Sequence, residues 1–517
     1  MNDAPGMHGS DLVEDPDVTL IVDRRVVYPA AKDGRTYWFE MPAAPGRIRL
    51  RSRHVVPIAQ GIGQDARRLG VPVRRIICRH GSSELICRAE AAHLCDGFHH
   101  PGDGLRWTDG NADLPARLFA FFDRPFQLGI ELGDAALAYP PRPRRALFID
   151  MTTPTPDRDA GSNVALWHMR LLRDLGFDVT FVPEDNWATI PGYTQALHDE
   201  DIGTALHPRY RAIAPFLRDH GQSYDLVYLH RWEIAERCLP ALQAYAPDAV
   251  VLFNPADLHF LRLQRAAKLH NSRTEAARAG AVRERELAVV AQVDCTLTCN
   301  TTEHALLQEV LPEARLHYLP WVIEPRAGAI PAHAARSGAM FLGSVGHPPN
   351  ADGIQWFARE ILPILRKLRP KLRLHLYGAG VTPESVPEAG RGFEISGYVP
   401  ELPPVFDRHR ALVAPLRFGA GFKGKIAEAM AHGVPVVATS IAAEGTGLVD
   451  GETMLVADTA AAFAEALARV DADADTWQHL SAAGHAYVAQ AFSPERGREH
   501  LRTVLRELGR EDLLHPA

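Results

Sequence analysis

The segment Arg417–Gly447, RFGAGFKGKIAEAMAHGVPVVATSIAAEGTG, gathers the residue types that hold an anion. Gly419, Gly421 and Gly424 let backbone N–H groups come close to a charged group, because no Cβ intervenes. The short helix after them points its positive end at the same place. Lys423 and Lys425 add mobile positive charge, and Glu428 falls three residues after Lys425 on the same side of that helix. Ile426, Ala429 and Met430 form the neighbouring apolar stripe. Cations and glycines beside a carboxylate suit a diphosphate with a polyhydroxylated group attached. Lys425 then supplies fixed positive charge for a departing diphosphate, which needs no metal. Glu444, in the loop after VVATS, either meets the same ligand or is a plain surface acid.

Further candidates lie just after strand-like runs. His230 ends DLVYLH, where its imidazole can reach a hydroxyl or a carbonyl, and Arg231 beside it is a phosphate contact or a surface charge. Asp159, Gly161 and Ser162 open a helix; Gly161 permits close approach, and Asp159 either caps the helix or holds a sugar hydroxyl. Asp257, His259 and Arg262 come after AVVLFN, either lining an acceptor site or capping and decorating a helix. Gly343 and Gly346 come after AMFL and let backbone approach a diphosphate. Asp157 with Asp159, and Asp471 with Asp473, spell the D-x-D metal motif of another architecture, the latter in an expected surface connection, and both are discounted. Trp38, Trp107, His99 and His100 read as packing residues ahead of a sugar platform.

The elements that position these residues change grammar along the chain. Residues 1–16 are expected to be disordered and 17–140 to form an all-β sandwich, from short alternating strands and turn cues such as Asp33-Gly34 and Asp109-Gly110. From ALFID onward, continuous apolar strands alternate with helical patterns, which predicts doubly wound parallel sheets. The expected boundaries are a first Rossmann-like domain over 141–326, a Pro/Ala-rich linker over 327–337 and a second Rossmann-like domain over 338–490. In the second, Asn350 reads as a helix N-cap, with Ile354, Phe357, Ile361 and Leu365 inward. An amphipathic helix within 491–517 closes the chain.

The run from the glycine loop through Glu428-Ala429-Met430 to Gly433–Thr439 resembles the donor-site signature of retaining GT-B glycosyltransferases, specifically glycosyltransferase family 4 and its group 1 relatives. The resemblance covers about residues 145–510 and implies a GT-B pair of Rossmann-like domains facing a cleft, with the C-terminal helix packing back on the first. It assigns Lys425 to the diphosphate, Glu428 to the donor ribose and His230 to the donor sugar, making these three the catalytic set. Gly343, Gly346, Gly419, Gly421, Lys423 and Glu444 become donor-binding candidates; Asp159, Gly161, Ser162 and Asp257 serve the acceptor or its loop. Two departures stand out. The paired glutamate eight residues before Glu428 is Ala420, and the basic residue of the loop after AMFL is replaced by His347 and Pro348.

The implied reaction is metal-independent, cofactor-free transfer of a hexosyl or deoxyhexosyl group from a nucleotide diphosphate sugar to a glycan or lipid-linked acceptor, in cell-surface polysaccharide synthesis. A nucleotide-sugar epimerase and a decayed glycan-binding protein are the alternatives. No Walker loop, HExxH, Ser–His–Asp set or completed GxGxxG supports other chemistry. The 517 residues, 46% hydrophobic with net charge -7, hold several cores and do not suit general nucleic-acid binding. Six cysteines without metal spacing read as buried thiols in a reducing compartment. With no signal-like or long apolar segment, the expected protein is cytoplasmic, touching the inner membrane face only peripherally.

Overall fold

The computed structural model describes residues 12–514 apart from 23, 24, 28, 82, 136, 140–143, 248 and 387–392. Most of the expected disordered tail and the junction at 140–143 therefore lie outside the described residues. Within 12–16 the expectation of disorder is corrected: Val13 exchanges two 2.8 Å backbone hydrogen bonds with Tyr139, and Pro16 accepts from Arg53. The chain divides into two compact units, with the boundary in sequence between Arg144 and Arg145.

The first unit is built from two antiparallel sheets. One runs Arg25–Val27, Thr19–Val22, Ile48–Arg51, Asn111–Leu114; the other runs Ala31–Asp33, Thr36–Met41, Phe126–Leu132, Pro72–His80, Ser83–Arg88, with Arg106–Trp107 beside Pro72–His80. Alternation sets the faces: Tyr37, Phe39 and Met41 point inward while Thr36, Trp38 and Glu40 do not. Leu20, Ile48 and Leu50 of one sheet share a core with Phe39, Val73 and Leu128 of the other. The Arg79 guanidinium lies over the Trp38 ring, 4.5 Å from its centroid. Five of the cysteines are buried free thiols; Cys95, expected to be buried, is exposed.

The second unit holds two parallel sheets. The first-lobe sheet has the order Gly203–Thr204, Phe177–Asn186, Arg144–Thr152, Leu226–His230, Val250–Asn254, Cys295–Thr298, Leu316–Tyr318. The second-lobe sheet runs Phe393–Gly397, Leu374–Tyr377, Ala339–Leu342, Ala411–Ala414, Val436–Ala438, Leu455–Val456. In each, strand order reverses beside the lobe's first strand, creating a switch point where ligands bind outside the carboxyl ends. The strands are apolar throughout because helices cover both faces: Ala146, Leu147, Phe148 and Ile149 are all 0% exposed.

The stretch 327–337 is anchored rather than free. Arg336, 1% exposed, donates to the carbonyls of Pro331, Phe406, His409 and His432, so it ties this connection to the second lobe. Helix Pro494–Glu507 returns to the first lobe, burying Leu501, Val504 and Leu505 in a core with Leu171 and Leu172. Each such side chain contributes about 1.5–3 kcal/mol, and Arg498 adds an ion pair to Asp174. Among the described residues, no helix is long and apolar enough to cross a membrane.

Candidate functional site

Lys425 stands in the first turn of helix Gly424–Ala431, just beyond strand Ala411–Ala414, and Gly343 just beyond the adjacent strand Ala339–Leu342. The second lobe's switch point thus brings the two together. The Lys425 ammonium donates to Asn350 Oδ1 at 2.8 Å and lies 4.4 Å from the Phe341 ring centroid. A Cβ at Gly343 would fall 3.0 Å from Lys425 Nζ and 2.6 Å from Asn350 Nδ2. Asn350 is not the N-cap expected. Pro348 and Pro349 begin the helix, His347 occupies its cap, and the Asn350 side chain turns to hold Lys425 and the Ser344 carbonyl. Burial first, and Lys423 second, pull the Lys425 ammonium down to about 7.

Glu428 faces the gap between lobes. It accepts a 3.0 Å hydrogen bond from Asn163 Nδ2, at the start of the first-lobe helix Ala160–Asp174. Burial raises the Glu428 carboxyl, against Asn163 and Lys425. His230, at the end of strand Leu226–His230, is 0% exposed, and neither ring nitrogen makes a hydrogen bond; its approach to Gly161 falls short of that geometry. Burial, then Arg231, lowers its imidazole to about 3, so the ring is neutral.

The glycine loop is clasped by the first lobe. Gly421 N–H donates to Glu303 Oε1 at 2.5 Å, and its carbonyl accepts from Asn300 and from Lys423, whose ammonium also reaches Ala420 O. Arg265 donates to Gly419 O at 2.8 Å and grips both oxygens of Glu444. Two expectations are corrected here. The Gly421 amide is spent on Glu303, and Glu444 is spent on Arg265, so neither is open to a ligand in this structure. Gly421, at φ +70, is required by crowding as well: a Cβ would sit 2.6 Å from Asp257 Cβ.

Glu303 is 1% exposed, and burial, then Asp257, raises it to about 7 against Gly421 N–H and Lys423. Its folded value exceeds the ordinary 4.5, so its stabilising contribution is complete below that value and is lost as pH rises through about 7. Wild type is therefore expected to lose stability relative to Glu303→Gln between about pH 4.5 and 7 in thermal melts. Parallel pH curves for the two proteins would contradict this.

At the first lobe's switch point, Asp150 and Asp159 hold Arg231 by Nε (2.9 Å) and Nη2 (3.4 Å). Burial raises Asp150 to about 6 against that guanidinium. Arg231 packs so close that a Cβ at Gly161 would lie 2.5 Å from its Nη2. Asp159 is the helix N-cap, accepting from Ser162 N at 2.8 Å and Ser162 Oγ at 2.5 Å. Asp157 accepts from Tyr193 (2.9 Å) and, across the lobes, from Tyr398. Asp471, expected on the surface, is 6% exposed and pairs with Arg369 and Arg410, while Asp473 caps a helix.

Asp257 pairs with Arg262 Nε (2.9 Å) and His259 Nε2 (3.1 Å). Burial would raise Asp257, yet His259 and Arg262 leave it below the ordinary range. His259 is opposed by burial but carried up to about 9 by Asp257 and Glu233. Gly346 is exposed, its amide on Ser344 Oγ. A separate cavity of 330 Å³, lined in part by Cys295, Arg315, Leu316 and Glu507, opens at the amino ends of the first-lobe strands, the end opposite Lys425.

Asn163, Arg265, Asn300 and Glu303 were not among the sequence candidates. Asn300 and Glu303 carry a usable signal, since they come just after strand Cys295–Thr298 at its carboxyl end.

Residues 336–473, which contain Gly343, Asn350, Lys425, Glu428 and Glu444, match the model of the "Glycosyl transferases group 1" family. The match covers most of the second lobe. An uncharacterized 44.6 kDa protein in the cps region of Klebsiella pneumoniae is 30% identical over 136 residues, 24% of this chain and 35% of that protein. The chain thus spans about a third of that curated relative's length. Sucrose-phosphate synthase from Thermosynechococcus elongatus superposes with TM-score 0.55 at 18% identity, over 71% of this chain and 99% of that one. Anabaena HepE, solved with UDP-glucose, superposes with TM-score 0.53 at 13% identity, over 70% and 99%. These likenesses show the GT-B fold of the paired lobes.

Proposed function

We propose that this chain is a retaining glycosyltransferase of the family 4 type. It moves a hexosyl or deoxyhexosyl group from a nucleotide diphosphate sugar to a hydroxyl of a glycan or lipid-linked acceptor, without metal or cofactor. One observation carries the reading: Lys425 and Glu428 share the switch-point helix, and Glu428 reaches Asn163 of the facing lobe at 3.0 Å. A diphosphate beside Lys425 and a ribose beside Glu428 fit the spacing of cation and carboxylate. The group 1 match over 336–473 supports it, as does the UDP-glucose held by HepE.

The step is a front-face displacement. The bond from the anomeric carbon to the diphosphate oxygen breaks as the bond to the acceptor oxygen forms on the same face. The acceptor proton passes to the departing diphosphate oxygen. Charge develops on that diphosphate, and Lys425 with Lys423 stabilises it. Neutral His230 offers a hydrogen bond near the anomeric centre without adding positive charge to an oxocarbenium-like state. The proposed setting is cytoplasmic cell-surface polysaccharide synthesis, with peripheral contact at the inner membrane face through the acceptor.

Product mass spectrometry and NMR across a panel of sugar nucleotides and acceptors test this. One donor is expected to yield an acceptor product with its anomeric configuration kept. Release of nucleotide with an epimerised free sugar would replace the reading by epimerisation. Binding of glycan with no donor consumed would replace it by a decayed site.

A further inference from the structure

The loop after strand Ala339–Leu342 offers His347 and Pro348 but no arginine or lysine, and Arg417 beyond the adjacent strand is paired with Asp352, which leaves Lys423 and Lys425 as the cations at the start of helix Gly424–Ala431. Lys423 is already engaged with the loop carbonyls of Ala420 and Gly421. A diphosphate carries more negative charge than one ammonium balances.

The facing lobe presents further cations. Helix His259–His270 places Arg262 and Arg265 one turn apart, and Arg265 grips Gly419 O and Glu444 of the second lobe. Arg262 therefore points toward the same gap. It rests on Asp257, whose Cβ is 2.6 Å from where a Cβ at Gly421 would be. Arg262 Nε is buried and 2.9 Å from Asp257 Oδ2, yet it is not aligned as a hydrogen bond and makes no other. Buried donors of this kind are uncommon and call for a partner.

We propose that Arg262, supplied by the first lobe, is a further cation for the donor diphosphate, held beside Asp257 until that diphosphate arrives. The inference rests on the donor reading above. Moving Arg262 off Asp257 does not strand the carboxylate, because His259 Nε2 stays at 3.1 Å as a partner. The lobe bearing the acceptor would thereby sense that the donor is in place, replacing the basic residue missing from the loop after Leu342.

Calorimetry with UDP, GDP, dTDP, ADP and CDP identifies the diphosphate that the full chain binds. Arg262→Ala is expected to weaken that Kd about tenfold to a hundredfold, as for loss of a charge-assisted contact, with Arg262→Lys in between. The double variant Arg262→Ala/Asp257→Asn separates the proposal from a purely structural role. If Arg262 only neutralises Asp257, removing both restores wild-type affinity; the proposal requires the double variant to stay weak. Wild-type affinity in Arg262→Ala, or its recovery in the double variant, overturns the assignment. A wild-type chain that binds none of the five overturns the donor reading itself, and this inference with it.

Discussion

Turnover is expected to fall by about 10²-fold or more in Lys425→Ala, the loss seen when a preorganised charge partner is removed, while the chain still folds. The expectation starts from position. Lys425 sits in the first turn of its helix, where helix dipole and ammonium act on the same point. Asn350 fixes the ammonium at 2.8 Å, so little reorganisation is needed when charge develops on a leaving group. Burial and Lys423 hold it near 7, so a sizeable fraction is neutral in the free protein at physiological pH. A bound diphosphate reverses that shift by adding negative charge beside it. Donor kcat/KM is therefore expected to decline as pH rises through about 7, while kcat for the saturated complex stays level to higher pH. Lys425→Arg should remove the decline, because a guanidinium stays charged.

The same shift has a stability signature. The folded ammonium titrates near 7, below the ordinary 10.5. The unfolded chain thus binds the extra proton between these values, and stability rises with pH across that window. Wild type is expected to gain on Lys425→Met as pH goes from about 7 to about 10. Wild-type turnover in Lys425→Ala would remove this residue from the chemistry whatever the melts show.

His230→Ala is expected to lower kcat about 10²-fold, the scale for losing one preorganised hydrogen-bonding group. His230 is fully buried with two idle ring nitrogens, and an unsatisfied buried polar group costs about 1–3 kcal/mol. A fold keeps such a cost where the group is needed for a ligand. His230→Leu, which removes the idle nitrogens while filling most of the volume, should lose turnover without loss of thermal stability. With its folded value near 3 against an ordinary 6.5, the imidazole favours unfolding as pH falls below about 6.5. Wild type is expected to lose ground to His230→Leu across that acid range. Near-normal kcat in His230→Ala, or a large drop in melting temperature for His230→Leu, would make the residue structural.

The paired lobes were legible because each strand is a continuous apolar run with glycines or charged side chains placed directly after it. ALVAPL leads to Lys425, DLVYLH ends in His230, and both residues lie where a doubly wound sheet binds ligands. Asn350 departs from its expected capping role because it lies close behind Pro348-Pro349, and the prolines start the helix before it. The clasp on the glycine loop was not legible. Gly421 meets a carboxylate 118 residues away and Glu428 an amide 265 residues away, and no local spacing encodes such meetings. Glu444 illustrates the consequence: its loop was readable, but its partner Arg265 lies on the other lobe, 179 residues away.

A crystal structure of the full chain with its nucleoside diphosphate bound tests the central claim most directly. Phosphate oxygens within about 3.2 Å of Lys425 Nζ, with a ribose hydroxyl on Glu428, are the expected result. Diphosphate bound elsewhere, leaving Lys425 on Asn350 and Glu428 on Asn163, would contradict it.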